Sequence, residues 1–110
     1  MNPDDVITII GDRIVALDEL RGSFMPDDPK RKPLDDARQA LDDAQRELAK
    51  KQFDENTAAY KDATGRLAAV NAELENTISD IGQLEKTIAN LNKFLAAVNT
   101  VANAAIGVLA

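Results

Sequence analysis

The sequence predicts an all-α protein: a helical bundle or hairpin with a long C-terminal heptad-repeat helix of coiled-coil character. Three observations carry that expectation. Apolar residues recur every three or four positions along most of the chain, a Pro-rich stretch interrupts them, and beyond it the pattern becomes a seven-residue repeat.

The first helix falls within residues 1–25. Asn2 is a good N-cap, Pro3 suits the first helical turn, and Asp4 and Asp5 favour the positive end of the helix dipole. Ile7, Ile10, Ile14, Leu17 and Phe24 form an apolar stripe that Val6, Ile9, Val15 and Leu20 widen, so this helix must be buried. Gly22 is a suitable C-terminal stop.

Residues 26–33 read as a linker. Pro26, Pro29 and Pro33 oppose a regular helix there, because proline lacks the amide proton and restricts the residue before it. Lys30, Arg31 and Lys32 are read as solvated linker charges rather than a recognition patch.

Residues 34–110 form the heptad region. It opens on an internal repeat, Leu34-Asp-Asp-Ala followed by Leu41-Asp-Asp-Ala, with Leu48 continuing the seam. From Phe53 a second frame begins. One seam runs through Phe53, Tyr60, Leu67, Leu74, Ile81, Ile88, Leu95, Ala102 and Leu109; the other includes Ala63, Val70, Leu84, Leu91 and Val98. No charge occupies either seam, so one helix from Phe53 to Leu109 is expected. The two frames are out of phase between Leu48 and Phe53, which places a break near residues 52–57, with Asp54 and Asn56 as candidate caps. The residues expected to meet a partner are Phe53, Tyr60, Leu67, Leu74, Ile81, Leu84, Ile88, Leu91, Leu95, Val98 and Leu109.

Composition narrows the function. Asp and Glu number 19 against 13 Lys and Arg, a net charge of −6, which opposes nucleic-acid binding because displacing phosphate counterions needs cations. There is no His and no Cys, and neither Ser23 nor Ser79 stands beside a plausible base, so no nucleophilic triad or thiolate metal site is available. The carboxylates at Asp35, Asp36, Asp42 and Asp43 read as a solvated helix face. No enzyme activity, cofactor or metal is expected.

The leading expectation is therefore a helical interaction or assembly module that associates with itself, or with a helical partner, through the heptad seams. Two other readings compete with it. The uncharged residues 94–110 are short for a membrane span but admit insertion into a bilayer, and the acidic balance suits an inhibitor or chaperone that masks a basic surface. The N-terminal residues lack the basic start of a secretory signal, so cytoplasmic residence is expected.

Overall fold

Four helices dominate the structure, a computed structural model that describes residues 1–109. Helix α1 spans Pro3–Arg21, α2 Arg31–Ala49, α3 Ala58–Ile78 and α4 Leu84–Asn103. Two short strands, β1 at Lys51–Gln52 and β2 at Gly107–Val108, pair antiparallel. Among the described residues, no helix is long and apolar enough to cross a membrane.

Local chemistry sets each boundary. Asn2 and Asp5 form a reciprocal capping box at the start of α1: the Asp5 amide donates to Asn2 Oδ1 at 2.8 Å and the Asn2 amide to Asp5 Oδ2 at 2.9 Å. Helix α2 has no side-chain cap, and it places Arg31 and Lys32 at the unfavourable positive end of its dipole. Asp35 and Asp36 one turn later pair with these cations at 3.2 and 3.1 Å. Pro33 lies inside this first turn, where its missing amide proton breaks no helical hydrogen bond. The helix therefore begins before Leu34. Thr57 caps α3 by accepting from the Tyr60 amide at 3.2 Å.

The structure corrects the expectation of one helix from Phe53 to Leu109. That span divides at Ser79–Gln83 and folds back as the α3–α4 hairpin. Asp80 Oδ1 accepts from the Gly82 amide at 2.9 Å and its carbonyl from the Gln83 amide at 2.9 Å, closing a 3-10 turn at Ile81–Gln83. A Cβ on residue 82 would stand 3.2 Å from Asp80 Oδ1, so glycine suits the close approach. The apolar spacing runs through the turn because Tyr60, Leu67, Leu74, Leu91 and Val98 of the two arms enter a shared core, while Ile81 stays exposed in the turn itself. That spacing alone cannot distinguish a straight helix from a hairpin.

Contacts between named residues fix the arrangement. Arg21 reaches Asp35, Arg38 reaches Asp18 and Gln45 Nε2 donates to the Ile7 carbonyl, so α1 and α2 are antiparallel. Asn90 reaches Thr77 and Lys93 reaches Glu73, so α3 and α4 are antiparallel too. The Tyr60 hydroxyl donates to the Met1 carbonyl at 2.9 Å, and Arg13 pairs with Glu75 at 3.3 Å, which sets α1 parallel to α3. Around the bundle the order is α1, α2, α4, α3, and the α2-to-α3 connection crosses its diagonal. That crossing carries β1. The chain beyond α4 returns to it, with the Ile106 amide donating to the Gln52 carbonyl at 2.8 Å and the Leu109 amide to the Lys50 carbonyl at 2.7 Å.

The core runs along the bundle axis. Ile10, Leu17, Leu34, Leu41, Leu67, Leu74, Phe94 and Val98 are fully enclosed. Each such side chain contributes about 1.5–3 kcal/mol through removal from water. Tyr60 closes one end of it, packed at a tilt on Phe53 with ring centroids 5.6 Å apart. Burial, with the nearby charges of Glu55 and Asp5, raises its phenol above the ordinary value of 10.0.

Candidate functional site

The residues expected to meet a partner separate into three groups. Tyr60, Leu67, Leu74, Leu91 and Val98 are buried, while Phe53, Leu84, Ile88 and Leu95 are half-buried. Ile81 and Leu109 are exposed, Ile81 in the α3–α4 turn and Leu109 beyond β2. Ile88 and Leu95 lie along an open groove between α2 and α4, and the buried Leu91 and Val98 stand beneath them at its floor.

The α2 side of that groove comes from the internal repeat. On an α-helix successive residues rotate by about 100°, so the four members of Leu-Asp-Asp-Ala face different directions. Leu34 and Leu41 enter the core. The first Asp of each unit turns towards arginine: Asp35 meets Arg21 at 2.7 Å, and Asp42 meets Arg46 at 3.0 Å and Arg38 at 3.6 Å. The second Asp of each unit, Asp36 or Asp43, lines the groove, as do Ala37 and Ala44. A single repeated motif thus supplies core, ion pairs, groove wall and groove rim.

The first-Asp positions are electrostatically settled. The Arg21 guanidinium holds the Asp35 carboxyl below its ordinary 3.8, with Arg31 assisting, and Asp35 raises the Arg21 guanidinium in return. The groove-side carboxylates are less satisfied. Asp36 pairs with exposed Lys32 at 3.1 Å, and Glu47 pairs with exposed Lys50 at 3.5 Å. Asp43 accepts only from Gln39 Nε2, at 3.0 Å, and has no cationic partner among the described residues.

The groove has two stretches that adjoin along the α2–α4 seam. Its two halves, of about 320 and 380 Å³, share Ala40 and Leu95. From Pro33 to Glu47 it extends about 20 Å at the helical rise per residue. Small side chains at Ala37, Ala40 and Ala44 keep the α2 wall low, whereas Ile88 and Leu95 stand as ridges on α4. The α2 rim carries Asp36, Asp43 and Glu47; the α4 rim carries Asn92 and Asn99 and no charge. The groove thus has an apolar floor, one acidic rim and one neutral rim.

Another cavity, of about 550 Å³, lies where the hairpin turns meet, lined by residues including Phe24, Lys30, Ile81, Leu84 and Lys86. It gathers the exposed Ile81 and the half-buried Leu84 but lacks the helix-long shape of the α2–α4 groove. Among the described residues, no group of three or more carboxylates is placed to hold a metal ion.

Sequence reasoning missed the α2 half of the groove. Its signal was present in the seven-residue spacing of Asp36 from Asp43 and of Ala37 from Ala44, a shared helix face that reads as solvated until α4 lies beside it. Comparison with protein-family models, curated proteins and solved structures finds no match for this chain.

Proposed function

We propose that this protein is a helical interaction module whose α2–α4 groove receives one amphipathic helix of a partner protein. One observation carries the reading: an apolar channel of helical length stays open along a bundle in which Tyr60, Leu67 and Leu74 close inward. A helix laid there places side chains at i, i+3/i+4 and i+7 between the ridges of Ile88 and Leu95 and over the low wall of Ala37, Ala40 and Ala44. In this reading the heptad spacing serves hairpin packing within one chain and recognition at the groove, rather than a coiled coil of several chains.

A second copy of the chain is the less favoured occupant, because each copy carries a net charge of −6 and the same acidic rim. The test is an amide chemical-shift titration with an 18-residue helical peptide carrying Leu at heptad anchor positions and Gln elsewhere, alongside light scattering of the free protein. The expected result is a monomer whose shifts on titration cluster at Ala40, Ala44, Leu95 and Asn99. Concentration-dependent dimers, or shifts confined to another face, would overturn the proposal.

A further inference from the structure

The two rims of the groove differ in charge, and that difference specifies the partner further. Resting on the groove reading above, we infer that the docked helix is basic along one flank, with Lys or Arg at seven-residue spacing opposite Asp36 and Asp43 and a further cation opposite Glu47. The opposite flank is uncharged.

The spacing follows from the scaffold. Asp36 and Asp43 lie seven residues apart, two turns along one face of α2, and Glu47 follows one turn later. A helix lying along the groove presents its own residues with the same repeat, so cations at i and i+7 meet both carboxylates in one register. No cation on the groove's walls competes for them. The lysines that do pair there, Lys32 with Asp36 and Lys50 with Glu47, are exposed, and such pairs exchange readily for an incoming cation. Asp43 has only an amide partner to exchange and sits beside Ala44 near the middle of the groove. It is the expected focus of recognition.

The neutral rim fixes how the helix lies. Asn92 and Asn99 can accept a hydrogen bond from Lys or Arg through Oδ1 but carry no negative charge to attract it. A helix docked with its basic flank on α4 would lose the carboxylate attraction and leave Asp43 without a cation. With the apolar stripe in the groove, the charge asymmetry therefore selects one direction of the helix along it. Across three largely exposed pairs its effect on affinity is modest, while its effect on register and encounter rate is larger.

Three 18-residue peptides with identical Leu anchors test the inference, differing in the flanking positions as Lys, Gln or Glu. Binding is measured by calorimetry at low and at physiological salt, and the site by amide chemical shifts. At low salt the Lys peptide is expected to bind about tenfold to a hundredfold tighter than the Gln peptide, given roughly twofold to fivefold for each of three exposed pairs, and the Glu peptide weakest. Salt should narrow the gap, since exposed charges are screened. Asp43→Asn should weaken the Lys peptide by about twofold to fivefold and leave the Gln peptide unchanged. Circular dichroism checks that this exposed substitution preserves the fold. Equal affinity for the Lys and Gln peptides, both in the groove, would overturn the charge assignment and leave the interaction module standing. Failure of all three to bind, or Lys-peptide shifts away from α2 and α4, would overturn both.

Discussion

The α1–α2 and α3–α4 hairpins both bury apolar side chains in the shared core but differ in the polar contacts added to that burial. At the turn end of the first, Arg21, Asp18, Asp35, Arg31 and Arg38 form a connected series of ion pairs, and Gln45 fixes the register farther along through the Ile7 carbonyl. The second has one long interhelical ion pair, Lys93 to Glu73 at 3.9 Å, and weak bonds from Asn90 to Thr77 and the Glu73 carbonyl. It closes by burying Tyr60, Leu67, Leu74, Leu91, Phe94 and Val98. Charge fixes direction and register at modest energetic gain, whereas apolar burial provides stability without marking where the chain must turn. The groove shows a similar contrast on a smaller scale: Asp36, Asp43 and Glu47 of α2 face the uncharged Asn92 and Asn99 of α4 and give it two unlike rims.

The largest test of this contrast is Phe94→Ala, which removes a fully enclosed aromatic ring from the second hairpin. Urea unfolding should show a loss of about 3–5 kcal/mol, insensitive to salt. A loss under about 1 kcal/mol, within the range of an exposed ion pair, would mean that apolar burial does not hold this hairpin. Next comes Thr87→Val. The Thr87 hydroxyl is fully buried and Oγ1 has no hydrogen-bond partner, so replacing it with a methyl group should raise stability by about 1 kcal/mol in the same assay. A destabilised variant would show that the hydroxyl is satisfied in solution.

The smallest effect belongs to the first hairpin and depends on pH. Arginine pairing lowers the Asp35 pKa in the folded chain, so the pair's contribution is present above the ordinary value of 3.8 and lost as pH falls through the lower folded value. Asp35→Asn should therefore flatten the acid limb of the stability profile while leaving its salt-insensitive part unchanged. An identical acid limb in the variant would place the titrating group elsewhere.

How much of this was legible in the sequence differs between the hairpins for the same physical reason. Asn2, Pro3 and Asp5 act locally, so the start of α1 follows from neighbouring residues, whereas Gly22 caps its end in the right-handed conformation without using glycine's left-handed freedom. The phase jump between Leu48 and Phe53 coincides with the turn between α2 and α3. The α3–α4 turn was hidden because Ile81 and Leu84 continue the apolar spacing through it. Asp80 and Gly82, the residues that close it, carry a weaker signal than an unbroken frame. The groove lay beyond local reading altogether. Ala40 and Leu95 share no sequence neighbourhood, and the acidic residues of α2 look merely solvated until packing sets α4 beside them.

The central claim is that the heptad frame from Phe53 onward closes on itself within one chain, leaving the α2–α4 groove as the open surface. The chain contains no Cys, so Glu73→Cys and Lys93→Cys give a clean pair for spin labelling. Their separation is then measured by pulsed electron resonance, with the labelled protein diluted into unlabelled protein. A short distance set by the label arms, unchanged on dilution, is the predicted result. A distance of about 30 Å, as in one straight helix, or a short distance that vanishes on dilution, would contradict the account.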